Sequence, residues 1–488
     1  MEGNTGGHTL LDYGNSVRLD DIQHIQVTVM AVPLEKNARM KDRKVTVIGA
    51  ARSGVAAARL LGELGAKVFL SDRDPDAKKN EEVAELQKHG VEFEFGVHSN
   101  RTLETDLMLV SPGVPQNSEP VVTAIGKGIP VISEVELACW YTELPIVAVT
   151  GTNGKTTTAT VLANMVREGG YVPFLAGNVG IPFTETVYKI LGKEPKNGIH
   201  VLEISSFQME HIHLFRPKIA VLLNLSPDHL NRYPSMGNYV SAKMRIMENM
   251  TADDHVVYNH DDPSLRQQID TSAPLTPFSL EIHPQLLFHV NETKVYDESR
   301  EVLVHLKDLL VPGKHNLANF LAAATAGKLL DVPTGAITKV LRTFRGVPHR
   351  LEHVRTLEGV DYYNDSKATN VQSVRTGIDS FTRPIILIMG GRDKGADFKE
   401  LLPQLTSHVK QVLVLGEAAD RIKETLSHVV PCNKVPTVDT AVSLAHENAE
   451  QEDVVLLSPG CASFDMFSDF EERGEVFKTA VNRLGSRK

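Results

Sequence analysis

IVAVTGTNGKTTTATVLANM, residues 146–165, is the stretch that decides the fold. An apolar strand, IVAV, runs into Gly151, Gly154, Lys155 and Thr156 and then into a helix, the context that a phosphate-binding loop requires. Glycines let successive amides point at phosphate oxygens, the lysine supplies a point charge for the β and γ phosphates, and Thr156 can reach Mg2+. The usual spacing would put Gly or Ala at position 149, where this chain has Val149.

Two later strands carry candidates for metal. HVLEISSFQME places Glu203 at the end of one, and IAVLLNLSPDHLNRY places Asp228 and His229 just past another. Ligands gather at the carboxyl ends of strands in open α/β sheets, so these side chains read as Mg2+ ligands or as groups that orient them.

Upstream, KVTVIGAARSGVAAARLLGELGAKVFLSDRD from Lys44 reads as strand, turn, a helix over Ala56–Leu64 and a second strand ending near Asp72 and Asp74. The middle glycine of a dinucleotide fingerprint is replaced by Ala51, which obstructs close approach of a pyrophosphate. The unit either only packs well or holds another phosphate-bearing ligand at the helix N-terminus, near Arg52 and Ser53. The turn SPGVP, residues 111–115, closes another strand on the same edge.

Downstream, RPIILIMGGRDKGADF, VKQVLVLGEAADRI and DVVLLSPGCASFDMF are three apolar strands, each followed by a glycine-containing turn and a helical stretch, hence another α/β unit. VPGKHNLANFLAAATA starts a helix after Gly313, and FRGVPHRLEHV, with Gly346 and Pro348, reads as a hinge. The first forty or so residues are polar and then alternate briefly at Ile25, Val27 and Val29, as a short strand would. They carry no motif and are expected to be a poorly ordered extension.

The 488 residues suggest about three domains. With 42% hydrophobic and 23% charged residues the composition is that of a globular protein. A net charge of −10 argues against nucleic acid as a partner. Cys139, Cys432 and Cys461 are scattered and form no CxxC, which fits a reducing compartment and neither a disulfide framework nor a zinc site. No apolar run is long enough to span a bilayer and no secretory signal is recognisable, so a cytoplasmic protein is expected.

GTNGKTT, LEISSFQ, NLSPDHLNRY, GKHNLAN, GVPHRLE, NDSKATN, GGRDKGADF and SPGCASFDMFSDFEERGEVF occur in the order found in Mur ligases, which this sequence resembles from Lys44 to its end. NDSKATN (364–370) and CASFDMF (461–467) are similar to the members that add D-glutamate to UDP-N-acetylmuramoyl-L-alanine. The resemblance implies a three-domain α/β fold: a Rossmann-like UDP-substrate domain over 44–133, a central P-loop ATPase-type domain over 134–345 and a Rossmann-like amino-acid domain over 346–488; the extension over 1–43 departs from the family's usual start. It implies ATP-driven amide formation in peptidoglycan synthesis by a monomer, with two Mg2+ ions.

By the same resemblance, Gly151, Thr152, Asn153, Gly154, Lys155, Thr156 and Thr157 hold the ATP phosphates. Asn316 and Asn319 sit near adenine, and Arg350 and Asp365 reach the nucleotide from the hinge and third domain. Thr156 and Glu203 serve one Mg2+, His229 and Lys243 (as a carbamate) the other, and Lys155, His229 and Lys243 are the catalytic set. Arg52, Ser53, Arg73 and Asn178 contact the UDP substrate, and Lys367, Thr369, Ser463 and Phe470 the D-glutamate, with Lys394 nearby.

Three other readings compete. A folylpolyglutamate synthase shares the central domain, but not the apparent UDP domain or NDSKATN. A P-loop switch protein would need a site for a partner, which nothing in the sequence suggests. A nucleotide-sugar binding module would not need Glu203, His229 and the P-loop together.

Overall fold

The computed structural model describes residues 34–485 except 80, 227, 229–231 and 394. The expected short strand at Ile25–Val29, His229 and Lys394 lie outside the described residues.

Three parallel-rich sheets follow one another along the chain. The first contains β1 (Lys44–Ile48), β2 (Lys67–Asp72), β3 (Glu92–Phe95), β4 (Leu107–Val110) and β5 (Val131–Ser133) in the order β3-β2-β1-β4-β5, all parallel. The second contains β6 (Ile146–Thr150), β7 (Val172–Gly177), β8 (Gly198–Glu203), β9 (Ile219–Leu222), β10 (His255–Asn259) and β11 (Leu275–Phe278) in the order β11-β10-β9-β6-β8-β7, again all parallel. An antiparallel meander of β12 (Phe288–Val290), β13 (Lys294–Asp297) and β14 (Val302–His305) follows. The last sheet joins β15 (Glu352–Leu357), β16 (Val360–Asn364), β17 (Ile385–Gly390), β18 (Val409–Leu415), β19 (Cys432–Lys434) and β20 (Val454–Leu457) as β15-β16-β20-β17-β18-β19, with only β15 antiparallel.

The central strands are apolar without alternation because helices cover both faces of each sheet. All five residues of β6 are buried, as are all six of β17. Sheet order then positions the chemistry. β6 lies between β8 and β9, so the loop after it opens where strand order reverses, with Glu203 at the end of one neighbour and Asn224 just past the other.

The first helix begins at Arg52 rather than at the predicted Ala56 and runs to Glu63. Its small residues Ala56, Ala57 and Ala58 are buried, which allows close packing on the helix Phe183–Ile190 of the central domain. One apolar core runs from Val47 and Leu60 of the first domain to Phe183, Ile204 and Phe215 of the central one.

Residues 34–43 correct the expectation of a poorly ordered extension. Met40 and Ala38 are buried in that shared core, Asn37 N–H donates to the Trp140 carbonyl at 2.9 Å, and the Tyr141 hydroxyl donates to the Ala38 carbonyl. A start at Met40 would remove the Asn37 and Ala38 contacts.

The connection between the first two sheets turns on Glu136, in the short helix Glu134–Cys139. Its buried carboxylate accepts hydrogen bonds from Trp140 Nε1 (2.7 Å) and from the backbone N–H groups of His213 (2.9 Å), Leu214 (2.7 Å) and Phe215 (2.9 Å). A neutral amide would offer one accepting oxygen to four donors. Glu136→Gln should therefore cost about 2–4 kcal/mol. The checks are a lower thermal midpoint and altered fluorescence of Trp140, the chain's one tryptophan; an unchanged midpoint would show that the loop is held elsewhere.

Candidate active site

Val149 lies inside β6 with its side chain in the core, so the loop proper begins at Gly151 and the missing small residue at 149 obstructs nothing. Gly151 has φ 152° and Gly154 φ 86°, and a Cβ on Gly154 would stand 2.2 Å from Asn319 Oδ1. No larger residue fits at 154 without displacing the asparagine. The helix Lys155–Glu168 starts with no side-chain cap, which leaves its first amides for a ligand.

The loop is held from behind. Asn224 Oδ1 accepts from Asn153 N–H at 2.8 Å, while Asn224 Nδ2 donates to the Asn153 carbonyl at 3.1 Å. Thr152 Oγ1 accepts from Ser226 N–H at 3.0 Å and lies 3.1 Å from the Tyr239 hydroxyl. Asn224, Ser226 and Tyr239 were not singled out from the sequence, although the first two lie in NLSPDHLNRY.

Two ammonium groups converge on this loop. Lys155 Nζ folds back to the carbonyls of Gly151 and Thr152, both at 2.9 Å, and Lys243 Nζ reaches the Gly151 carbonyl at 3.1 Å. Lys243 is only 2% exposed, and burial followed by the Lys155 charge lowers its pKa to about 7. Burial also pulls Lys155 below the ordinary lysine value, opposed by Glu203. Asp228 acts electrostatically on both lysines.

Glu203 is buried at the end of β8. One oxygen accepts from Asn178 Nδ2 at 3.0 Å; the other, Oε2, has no hydrogen-bond partner among the described residues. A buried unpaired carboxylate oxygen beside a phosphate-binding loop suits a hard cation. Among the described residues no three His, Cys, Asp or Glu side chains group into a metal site.

Above the loop lies a cavity of about 470 Å³, bordered by Asn153, Gly154 and Thr157, by Asn316 and Asn319 of the helix Lys314–Leu329, and by Arg350, Asp365 and Lys367. The hinge presents Arg350 because its neighbours His349 (φ 62°) and Leu351 (φ 42°) are both left-handed, a strained arrangement for residues with side chains. Asp365 borders the cavity, yet its oxygens accept from Leu351 N–H (3.2 Å) and Ser458 Oγ (2.9 Å). Burial raises its pKa to about 7. It anchors the hinge to the third sheet.

Lys367 Nζ stands 5.6 Å from the Phe470 ring centroid, and burial followed by the Arg350 charge lowers its pKa. The loop that carries Lys367 and Thr369 is stitched to the loop carrying Ser463. Gly460 N–H donates to the Ala368 carbonyl at 2.8 Å, and buried Arg473 donates to the carbonyls of Ser366 (2.8 Å) and Cys461 (3.1 Å).

A second cavity of about 390 Å³ sits at the carboxyl ends of β1, β2 and β4, bordered by Gly49, Asp72, Arg73, His98 and the 113–120 turn. Arg73 is part of it. Arg52 instead donates to the Gly180 carbonyl of the central domain at 3.2 Å, and neither Arg52 nor Ser53 borders the cavity. His98, 2.8 Å from Ser71 Oγ, was not anticipated.

Three family models match: Mur ligase MurD-like N-terminal domain over residues 43–133, Mur ligase middle domain over 149–327 and Mur ligase glutamate ligase domain over 349–461. The UDP-N-acetylmuramoylalanine–D-glutamate ligase of Salinibacter ruber is 42% identical over 460 residues, covering 91% of this chain and 99% of that protein. The chain belongs to the Mur ligase family. The enzyme of the same name from Chloroherpeton thalassium is 39% identical over 468 residues with the same coverage. Among solved structures, UDP-N-acetylmuramate-alanine ligase of Thermotoga maritima superposes with a TM-score of 0.55 at 20% identity, covering 90% of this chain and 99% of that one. The MurF ligase of Thermotoga maritima in complex with ADP gives 0.55 at 17%, covering 86% and 95%. Both show this fold in other Mur ligases. Among the described residues no helix is long and apolar enough to cross a membrane.

The Asn224 clamp yields a direct test. Asn224→Ala frees both backbone groups of Asn153 and should raise the dissociation constant for ATP by roughly five- to thirtyfold, the equivalent of about 1–2 kcal/mol, with the thermal midpoint little changed. Unaltered ATP affinity by calorimetry would mean that the loop holds its shape alone.

Proposed function

We propose that this chain acts in the cytoplasm, as a monomer, to join D-glutamate to UDP-N-acetylmuramoyl-L-alanine at the expense of ATP in peptidoglycan precursor synthesis. The observation that carries the reading is the single cavity in which the P-loop, Arg350 and Lys367 face one another beside the unpaired oxygen of Glu203. The names and coverage of the relatives supply the substrates.

A carboxylate does not react with an amine at neutral pH because oxide is not expelled. Phosphorylation removes that obstacle. The alanyl carboxylate attacks the γ-phosphorus of ATP, the bond to the bridging oxygen of ADP breaks, and an acyl phosphate forms. The D-glutamate amine then adds to the acyl carbon, loses a proton and expels phosphate through a tetrahedral intermediate. Lys155 leaves its two loop carbonyls for the β and γ oxygens, while Asn316 and Asn319 border the nucleotide and Arg350 meets it from the hinge. Lys367 pairs with a carboxylate of D-glutamate, with Thr369, Ser463 and Phe470 completing that pocket.

The free oxygen of Glu203 fits Mg2+ and with Thr156 would hold one ion; His229 and Lys243, the latter as a carbamate, would hold a second on the strength of the sequence resemblance. Bound there, Mg2+ would neutralise charge on the phosphate oxygens. Lys243 suits carbamate formation because a lowered pKa leaves much of it as free amine near neutrality. That neutral amine adds to CO2 and releases one proton to become a carbamate anion; counted from the ammonium form, two protons leave, and a cation beside the Gly151 carbonyl gives way to an anion.

Two outcomes follow. D-Glutamate should support phosphate release and L-glutamate should not; Lys367→Ala should raise the apparent KM for D-glutamate by roughly ten- to a hundredfold, about 1.5–3 kcal/mol. Equal rates with both enantiomers would overturn the assignment. Lys243→Ala should nearly abolish turnover while ATP still binds, and added acetate should restore part of it. Full activity of that variant at ordinary Mg2+ would remove the carbamate from the account.

A further inference from the structure

The first cavity and the second are joined by a continuous chain of contacts that the reaction chemistry does not require. Its centre is Arg232. One guanidinium nitrogen donates to the Pro112 carbonyl at 2.8 Å, and another to the Val114 carbonyl at 2.9 Å and to Glu210 Oε2 at 2.6 Å. Its carbon atom stands 4.2 Å from the Phe207 ring centroid. Both charged side chains are largely buried, 15% and 2% exposed, so the pair is shielded from solvent.

Pro112 and Val114 belong to the turn after β4, and residues 113–115 border the cavity of the first sheet. Glu210 is held in turn. Arg245 donates to the carbonyls of Met209, Glu210 and Ile212, at 2.8, 2.6 and 2.8 Å, which fixes the backbone on which Glu210 stands. The other oxygen of Glu210 accepts from the Tyr233 hydroxyl at 2.7 Å. The Tyr233 ring packs 5.7 Å from that of Tyr239, whose hydroxyl lies 3.1 Å from Thr152 of the P-loop.

We propose that Arg232 is a positioning residue that sets the distance between the cavity of the first sheet and the P-loop, so that a substrate anchored by its nucleoside diphosphate end presents its carboxylate to the γ phosphate. The inference rests on the ligase reading and extends it. Binding energy from a remote part of a substrate raises the rate only when the frame between anchor and reacting atom is rigid. Arg232 supplies that rigidity with two charge-assisted hydrogen bonds to the first domain, at Pro112 and Val114, and a third to Glu210 that holds the guanidinium within its own domain. Its effect must therefore depend on whether the substrate has the anchor.

The test compares wild type with Arg232→Met on two substrates, UDP-N-acetylmuramoyl-L-alanine and N-acetylmuramoyl-L-alanine 1-phosphate, which lacks uridine monophosphate. With the full substrate, kcat/KM of the variant should fall by roughly ten- to a hundredfold, as expected for loss of charged hydrogen bonds. With the truncated substrate it should match wild type, and the KM for ATP should not move. An equal fall on both substrates, or none on either, would overturn the proposal. If Arg232→Met does not fold, Glu210→Gln keeps the volume and weakens the same tie, and the same substrate-dependent loss is expected from it; a loss independent of the substrate would again overturn it. Failure of the ligase reading is a separate result, because wild type would then release no phosphate with the full substrate and D-glutamate.

Discussion

The rest of the site depends on the pair of hydrogen bonds by which Asn224 grips both backbone groups of Asn153. A phosphate-binding loop works only if its amides are aimed before the nucleotide arrives, and the four residues 151–154, two of them glycine, do not hold such a shape unaided. The parallel sheet supplies the support: β9, beside β6, ends where Asn224 can reach the loop. From that fixed loop the positions of Lys155 and of Lys243 at the Gly151 carbonyl follow, while Glu203 is placed by the end of β8 beside β6.

Charge balance gives the site its reactivity. Lys155, Lys243, Arg350 and Lys367 act on one another within a small volume, with Glu203 and Asp228 as the opposing charges named beside them. Such a set is poised for a polyanion and is costly without one, as the lowered pKa values of the three lysines indicate. Two of these cations, Arg350 and Lys367, reach the cavity from the third domain and face the P-loop of the central one.

What could be read from the chain was what is local. The P-loop and Glu203 at a strand end are short patterns legible within a few residues, the Lys367 loop is recognised by the NDSKATN match, and the three α/β units follow from apolar runs punctuated by glycine. What escaped depends on distant partners. Asn224 meets Asn153 across 71 positions, Glu136 meets His213 across 77 and Arg232 meets Pro112 across 120. No periodicity records such pairings. The same limit explains residues 34–43, whose Met40 looks like any methionine until the shared core closes over it. Arg52, expected from the resemblance to contact the UDP substrate, donates to the Gly180 carbonyl of the neighbouring domain, a contact 128 positions away that the sequence does not record.

The claim on which the account turns is that the carboxylate oxygen leaves with the phosphate. UDP-N-acetylmuramoyl-L-alanine carrying 18O in both carboxylate oxygens, turned over with ATP and D-glutamate, should yield inorganic phosphate with one 18O per molecule and an amide that keeps the other. Mass spectrometry of the released phosphate reads this directly. Unlabelled phosphate formed alongside the amide product would contradict the acyl phosphate route.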